Sequence, residues 1–429
     1  MASGVSGNAR LGMKPHPLYV RKASGSKIID VDGNEYINYM MGSGVMILGH
    51  SHPAVTKAVE KQLRLGTVEC TVATEMEIEL AEKITKHMPH LEKIRFVSTG
   101  TEAIMATIRA SRAYTKKDKI ARFEGHFHGS SDETAISGGI GSLQAAGPEE
   151  SPHPVPDFAG IPRAALETTL VLPFNNADAA VRLIRKNSDQ LAAVVMEPLA
   201  VFHSGAVMAE KEFAQSIREV TQENDILLIF DEVVTGFRIG GLRGATKYLD
   251  VIPDLTTLGK ICGGGFPIGV YGGRSNIMEE VLTPTGAQSD KDRKMGQSGT
   301  FSGNPVTMTA GVATISELEK GAIYPHINKL GEIIREGLKN ISSEIGIDIQ
   351  ILGLDSIFHT QFASHPIRNK RDALRADSAK LETFGLGMIT KGIFIQPGHP
   401  AFICAMHTKK EIEETLEAAR DVVCEMKET

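Results

Sequence analysis

The sequence has no tryptophan, no clustered cysteines, no excess of positive charge and no long apolar run. A net charge of −6 gives no reason to expect binding to nucleic acid or acidic membrane surfaces, whose partners need a basic face. No stretch approaches the roughly 20 apolar residues that span a bilayer. The first 15 residues lack the apolar core of a secretory signal. We therefore expect a cytoplasmic protein with neither a membrane nor a nucleic-acid partner.

The four cysteines, Cys70, Cys262, Cys404 and Cys424, are scattered and form no C-x-x-C pair. This pattern favours free thiols in a reducing compartment. The 14 histidines are mostly single, and the pair His126 and His128 has no partners at metal-ligand spacing. We expect no metal site.

At 429 residues the chain exceeds what one hydrophobic core usually organises, so two packed domains are expected. We predict a large domain over residues 46–319. Residues 1–45 and 320–429 would together form a smaller domain. The 43 glycines suit an enzyme with many tight turns and close backbone approaches.

From about residue 50, helical and strand patterns alternate, which predicts an α/β fold with a mostly parallel sheet covered by helices. Short apolar runs without alternation are typical of strands buried on both faces. The predicted strands are 93–98, 120–123, 191–196 and 226–230. A helix should follow the first of them and end near Tyr114, with Ile104, Met105 and Ile108 on one face.

Two later segments differ from this alternation. Residues 130–170 are rich in glycine and proline without periodicity, which indicates a linker or, as we favour, a lid over a binding site. Near the C-terminus, Thr408 and Glu411 form a capping box that opens an amphipathic helix. Its predicted apolar face carries Ile412, Leu416, Ala419 and Val423.

The strongest chemical signal follows residue 225. Asp231 stands at the carboxyl end of a buried strand, where ligands bind in open α/β sheets. Lys260 comes 29 residues later, between a glycine and the run Gly263–Gly265. A desolvated lysine loses its proton and condenses with an aldehyde, and a carboxylate keeps a pyridine nitrogen protonated. Taken singly, however, the aspartate is also typical of a turn residue, and the lysine is also typical of a solvated side chain without a catalytic role.

Two further segments fit a phosphorylated aromatic cofactor. Ser98–Ala103 joins a strand to a helix with small residues, which leaves backbone amides for an anion, although a simple Thr N-cap explains it too. In Phe123–Gly129, an aromatic beside glycine is suited to stack on a ring. The alternative for Phe127 is a place in the core.

These residues lie within longer segments that resemble a known protein family. Seven segments, in order along nearly the whole chain, resemble class III aminotransferases of fold type I. They are most similar to the glutamate-1-semialdehyde 2,1-aminomutase branch. The segments are Asp30–Tyr39, Leu48–Pro53, Ser98–Tyr114, Phe123–Gly129, Asp231–Arg238, Pro253–Lys260 and Gly299–Pro305.

The resemblance implies that pyridoxal 5'-phosphate (PLP) is the cofactor and that Lys260 carries it as a Schiff base. It implies that Asp231 pairs with the pyridine nitrogen and that Val233 lies beneath the ring. Phe127 takes the place of a stacking aromatic that is usually tyrosine. We expect three more residues to complete the cofactor site, namely Thr99, His128 and Glu197.

The resemblance also implies how phosphate and substrate are held. Gly100 and Thr101 match the phosphate-binding turn. Thr300 matches a threonine that reaches the phosphate of the neighbouring subunit, which implies a homodimer with shared active sites. Arg10 matches the arginine that holds the substrate carboxylate, a task that suits its planar fork.

Several positions depart from the aminomutase pattern. Ser43 stands in place of a tryptophan, His399 in place of a glutamate, and Glu197–Phe202 lacks the usual asparagine. Exchanging Trp for Ser opens on the order of 100 Å² of apolar wall, so a larger, aromatic or β-amino substrate would fit. We therefore favour an aminotransferase that moves an amino group from an amino acid or amine to a keto acid or aldehyde. The aminomutase is the first alternative.

The remaining alternative is a non-catalytic α/β protein that binds a nucleotide or sugar phosphate, with Lys260 only touching phosphate. The glycines at 263–265 suggest such a loop. Neither the Gly-x-Gly-x-x-Gly nor the Gly-x-x-x-x-Gly-Lys-Ser/Thr motif is present, however.

Overall fold

The computed structural model describes residues 1–14, 17–67, 72–287 and 290–428. Cys70 lies outside these ranges, whereas Cys262 and Cys404 are buried free thiols and Cys424 is exposed. The strands are, in chain order, β1 (Val20–Ser24), β2 (Lys27–Asp30), β3 (Glu35–Asn38), β4 (Lys93–Val97), β5 (Lys119–Phe123), β6 (Thr169–Leu172), β7 (Leu191–Met196), β8 (Leu199–Ala200), β9 (Val207–Met208), β10 (Leu227–Glu232), β11 (Leu255–Gly259), β12 (Gly269–Gly273), β13 (Ile349–Leu352), β14 (Ile357–Phe362), β15 (Ile393–Phe394) and β16 (Ala401–Phe402).

The helical segments cover the sheets and connect their strands. They are α1 (Met41–Gly44), α2 (Pro53–Leu63), α3 (Glu75–His87), α4 (Gly100–Thr115), α5 (Leu143–Ala146), α6 (Arg163–Glu167), α7 (Ala177–Lys186), α8 (Lys211–Glu223), α9 (Thr246–Leu249), α10 (Ser275–Leu282), α11 (Asp290–Arg293), α12 (Pro305–Glu319), α13 (Ile323–Ile345), α14 (Lys370–Leu374), α15 (Ser378–Thr390) and α16 (Lys409–Glu428). Short 3₁₀ turns cover Ala2–Gly4, Asn8–Gly12, Gly241–Arg243 and Lys260–Gly263.

The central element is a seven-stranded sheet in the order β4-β12-β11-β10-β7-β5-β6. Its neighbouring strands run parallel except for β12, which is antiparallel to both β11 and β4. Along β7, Val194 packs in one apolar cluster and Val195 in another, because successive side chains point to opposite faces. Both faces are therefore buried. The predicted α/β fold with a mostly parallel sheet is confirmed, and all four predicted strands lie in it.

Helix α4 follows β4 almost directly and ends one residue beyond the predicted Tyr114. Ile104 and Ile108, four residues apart, are both buried, as predicted. The prediction for Met105 is wrong, since this side chain is 38% exposed. Successive residues turn by about 100° around the helix axis, so Met105 lies beyond the edge of the buried face that Ala103 and Ile104 share.

Residues 130–170 are irregular, apart from α5, α6 and the start of β6. They pack firmly on the large sheet region, where Ile136 and Ser137 are fully buried. The Ser137 N–H donates to Val155 O over 2.7 Å, and the Gly125 N–H donates to Ser137 O over 2.9 Å. These contacts favour a packed segment over a linker. Movement of the segment as a lid stays a prediction.

The two ends of the chain meet in a smaller sheet. Strand β15 pairs in parallel with β3, so the N- and C-terminal segments share one sheet, β1-β2-β3-β15. This supports the predicted small domain, whose boundaries stay a prediction. The capping box of α16 is present: the Thr408 N–H donates to Glu411 Oε2 (2.7 Å), and the Glu411 N–H donates to Thr408 Oγ1 (3.2 Å).

No helix in the described ranges is long and apolar enough to cross a membrane. No group of three or more His, Cys, Asp or Glu side chains there is placed to hold a metal ion.

Candidate active site

A cleft opens at the carboxyl ends of β4, β10 and β11, where ligands bind in sheets of this type. It holds about 590 Å³ of empty space. Segments that are far apart in the sequence meet at this cleft. This agrees with the prediction that residues at the strand ends form a ligand site. The lining residues are Thr99, Gly100, Thr101, Ile104, Phe127, His128, Gly129, Glu197, Asp231, Val233, Val234, Lys260 and Ile268.

Lys260 is the first residue after β11 and has a left-handed backbone, with φ of 50°. Its Nζ lies 5.3 Å from the centre of the Phe202 ring and has no hydrogen-bond or ion-pair partner in the described part of the chain. Burial lowers the pKa of Lys260, and the negative charges of Asp231 and Glu197 oppose that shift. Burial thus favours the free amine, which is the form that attacks an aldehyde.

Asp231 is held in place at the end of β10 by three contacts. Its Oδ2 lies 2.7 Å from His128 Nδ1, and its Oδ1 accepts from Thr257 Oγ1 (3.2 Å) and the Val233 N–H (3.1 Å). Burial lowers the pKa of His128, although the Asp231 carboxylate raises it. A neutral His128 that donates from Nδ1 fits this environment. His128, predicted at the cofactor, therefore orients the Asp231 carboxylate.

The turn into α4 supplies both a helix cap and candidate anion donors. Thr99 Oγ1 accepts from the Glu102 N–H (3.1 Å), and the Glu102 carboxylate accepts from the Thr99 N–H (2.9 Å). The N-cap interpretation is therefore correct, but it does not exclude an anion. Gly100 and Thr101 line the cleft just beyond the cap. A Cβ on Gly100 would lie 3.0 Å from Val233 Cγ1, so glycine permits this close approach.

Glu197 follows β7 and joins the cleft to the Phe127 turn. Its Oε2 accepts from the Phe127 N–H (2.7 Å), and its own N–H donates to His126 Nδ1 (3.0 Å). Burial, with the negative charge of Asp231, raises the pKa of Glu197 to about 8. Burial and the Asp231 carboxylate thus both favour the neutral form of this carboxyl group, whereas the hydrogen bond from the Phe127 N–H favours the charged form.

Aromatic rings form one wall of the site. Phe127 is 37% exposed, so its interpretation as a core residue is wrong. Its ring lies 5.9 Å from that of Phe202 and 5.5 Å from that of His203. Phe202 in turn lies 6.0 Å from His399. The sequence interpretation missed Phe202 and His203. The only signal was that Phe202 lies five residues after Glu197, in the segment where the usual asparagine is missing.

The predicted substrate residues are less tightly assembled than the cofactor residues. The His399 ring lies next to the Phe202 ring of the aromatic wall. Ser43 is partly buried in a left-handed turn with φ of 58°. Arg10 is exposed, and its segment is tied down by Gln396 Nε2, which donates to Ala9 O (2.6 Å). Neither Arg10 nor Ser43 lines the cleft, and their roles stay predictions.

Thr300 is exposed in the segment before α12 and does not line the cleft of its own chain. A residue that serves a neighbouring subunit would have this placement, because its phosphate contact lies across an interface. Its role stays a prediction.

The cleft residues fit PLP. The cofactor needs an amine for its aldehyde, a carboxylate for its ring nitrogen, an apolar floor and an anion site. Lys260, Asp231, Val233 and the Gly100–Thr101 turn place these four groups around one cavity. The unpartnered amine of Lys260 and the firmly held carboxylate of Asp231 are the observations that carry this fit.

Comparisons with known proteins agree with this site. The family model described as aminotransferase class-III matches residues 9–421. A glutamate-1-semialdehyde 2,1-aminomutase from Methanosarcina acetivorans is 41% identical over 417 residues, 97% of this chain and 93% of that protein. An omega-transaminase from Sphaerobacter thermophilus has a TM-score of 0.91 and 34% identity, covering 98% of this chain and 93% of its own. A transaminase with PLP bound has a TM-score of 0.86 and 30% identity, with the same coverage of 98% and 93%.

Sheet, cleft and lysine together define a PLP-dependent enzyme of fold type I. The chain belongs to the class III aminotransferase family. The interpretation as a non-catalytic nucleotide- or sugar-phosphate-binding protein is therefore wrong.

Proposed function

We propose that this enzyme is a glutamate-1-semialdehyde 2,1-aminomutase, which moves an amino group between neighbouring carbons of one substrate. The observation that carries the proposal is the identity of 39 to 42% with relatives of that name over at least 97% of this chain. These relatives favour the aminomutase over the aminotransferase that we preferred from the sequence.

In this proposal each cleft residue has one task. PLP, when bound, supplies a carbonyl that condenses with amines and a ring that withdraws electrons. Lys260 Nζ would hold the cofactor covalently and, as a free amine, would take a proton from the substrate carbon that bears nitrogen and later return it, as general base and then acid. Asp231 would keep the ring nitrogen protonated. The Gly100–Thr101 turn would hold the phosphate, and Phe127 would cover the ring.

A second candidate is transfer between two substrates, from an amino acid or amine to a keto acid or aldehyde. Two features support it: the apolar wall of Phe127 and Phe202, and the omega-transaminase that is 34% identical. Ser43 in place of tryptophan adds room for an aromatic or β-amino donor.

One assay separates the candidates. The PLP-loaded enzyme is given glutamate 1-semialdehyde with no second amine or carbonyl compound, and 5-aminolevulinate is followed by NMR. An aminomutase makes many equivalents per site because it regenerates its starting cofactor form. A result of at most one equivalent, with many turnovers from amino acids to pyruvate, would contradict the proposal and support the aminotransferase. Lys260→Ala serves as the inactive control.

We also propose a homodimer with shared sites. If Thr300 serves the neighbouring subunit, a Lys260→Ala chain paired with a Thr300→Ala chain has one site with both lesions and one intact site. Two inactive homodimers should therefore regain about a quarter of the wild-type activity when mixed at random, because half of the dimers are then mixed. Differently tagged chains, co-expressed and separated, provide the measurement. No recovery in a purified mixed dimer, or an active monomer in sedimentation, would refute the shared site.

A further inference from the structure

A buried ion pair joins the C-terminal part of the chain to the turn that carries Phe127. Arg371 lies in α14 and Glu124 directly follows β5, and their side chains are only 6% and 3% exposed. Arg371 Nε donates to Glu124 Oε2 over 2.8 Å, and its Nη2 donates to Oε1 over 2.9 Å. Burial raises the pKa of Glu124, and the Arg371 guanidinium opposes that shift. Each charge therefore depends on the other, because a buried charge without a partner is costly.

The same guanidinium also holds the backbone at the end of α5, within the 130–170 segment. Its Nη1 donates to Gly147 O over 2.8 Å, and its Nη2 lies 3.2 Å from Ala146 O and 3.3 Å from Pro148 O. Only arginine has a planar group whose five N–H donors can reach a carboxylate and several carbonyls at once. Arg371 thus connects the 130–170 segment to the Phe127 turn.

Helix α14 also lies directly against this turn. A Cβ on Gly125 would lie 2.4 Å from Lys370 Cβ, so glycine is what allows the two backbones to come this close. Gly125 has a left-handed φ of 72°, which glycine adopts readily. Three residues further along the turn, His128 Nδ1 lies 2.7 Å from Asp231 Oδ2. A shift of the turn would therefore displace Phe127 and His128 together.

We propose that Arg371 is a positioning residue of the active site. Through Glu124 it keeps Phe127 in place at the cofactor ring and His128 against Asp231. Arg371 does not line the cleft, so it acts through the turn and not on the reacting atoms. This role rests on the proposed placement of PLP, with Phe127 over its ring, and not on the choice between aminomutase and aminotransferase.

Hydrogen–deuterium exchange of the protein without PLP, followed by mass spectrometry, tests the connection. Arg371→Met should speed exchange by about tenfold or more in peptides of the 124–129 turn and in those around residues 146–148, because both lose a buried anchor. Glu124→Gln keeps the carbonyl contacts and should speed exchange in the turn alone. The double variant should be no faster than Arg371→Met, since Glu124 acts through the arginine. Arg371→Lys keeps a charge for Glu124 and should protect the turn better than the 146–148 peptides.

The PLP-loaded enzyme gives a second readout. The visible circular dichroism of the bound cofactor reports whether its ring is held in one orientation, and Arg371→Met should weaken it. In the same variant kcat should fall by about tenfold or more with KM little changed, because a small misplacement within a site slows the chemical step. Arg371→Lys should recover part of both. Arg368→Met is the matched control, since its exposed ion pair with Glu210 (2.6 Å) lies outside the cleft, and it should change neither.

Unchanged exchange in the 124–129 turn and an unchanged cofactor signal in Arg371→Met would refute this role, even if the melting temperature fell. An equal change in Arg368→Met would do the same. If Arg371→Met does not fold, Glu124→Gln decides: faster exchange confined to the turn supports the role, and wild-type exchange there refutes it. If exchange and the cofactor signal change as expected but the wild type makes no 5-aminolevulinate, the proposed function fails and the role of Arg371 stands.

Discussion

Replacement of Lys260 by alanine should lower turnover by about 10⁴-fold, the upper range for loss of a positioned acid–base group. The variant loses both the covalent anchor and the proton carrier, since Lys260 supplies the amine that lines the cleft beside Asp231. It should still bind PLP through the Gly100–Thr101 turn and Asp231, so the colour should shift to that of the free aldehyde. Absorbance spectra before and after borohydride, with turnover on the same sample, provide the measurement.

Two controls separate the amine from the charge. Lys260→Arg keeps a positive charge but has no amine that condenses with an aldehyde, so it should be nearly as inactive as the alanine variant. Lys247→Ala removes a lysine that lies near the Tyr248 ring outside the cleft, and it should be fully active. A Lys260→Ala enzyme with a near-normal rate, or borohydride labelling at another lysine, would refute the assignment.

The large sheet was predictable because its strands are buried on both faces. Leu191–Met196 is an unbroken apolar run, and every residue in it is buried. The same logic placed Asp231 and the Ser98–Ala103 turn at strand ends. Parallel strands bring their carboxyl ends to one edge, so these residues had to meet. Secondary structure and the cofactor side of the cleft could therefore be predicted together.

The substrate wall was not predictable from local pattern. Phe202 contacts the rings of Phe127 and His399, which are 75 and 197 residues away in the chain. Periodicity describes neighbours within one element, whereas these contacts depend on how the C-terminal segment packs on the large sheet. The prediction for Met105 failed because the buried face of α4 ends beside Ile104: Ala103 and Ile104 are buried, whereas Met105 is 38% exposed.

The cofactor side of the cleft was predictable from the sequence and the substrate side was not, and the choice of reaction depends on the substrate side. The proposed cofactor residues Lys260, Asp231 and Val233 would serve a mutase and a transaminase alike. Only the substrate side can distinguish the two, and there Ser43, His399 and the segment Glu197–Phe202 depart from the aminomutase pattern. Relatives near 40% identity favour the mutase, whereas the wall gives room for other donors. The substrate assay is therefore more decisive than any further cofactor variant.

Replacement of Asp231 by asparagine should lower turnover by about 10³-fold, similar to the loss of one well-oriented electrostatic contact in an enzyme site. Asparagine has nearly the same shape, and its Oδ1 can still accept from His128 Nδ1, which now lies 2.7 Å from the carboxylate. What disappears is the negative charge opposite the ring nitrogen. That nitrogen would lose its proton, and the ring would withdraw electrons less strongly. Single-turnover kinetics with an amino substrate measure the proton-transfer step directly.

Three further measurements test whether the loss of activity in Asp231→Asn comes from the lost negative charge. His128→Gln weakens the support of Asp231 but keeps its charge, so it should lose much less activity than Asp231→Asn. Asp250→Asn removes an exposed carboxylate that lies 3.5 Å from Lys211, and it should change nothing. PLP whose ring nitrogen carries a methyl group is permanently cationic and should restore part of the rate in Asp231→Asn. If it does not, or if Asp231→Asn keeps more than about a tenth of the wild-type rate, the charge of Asp231 is not what drives the chemistry.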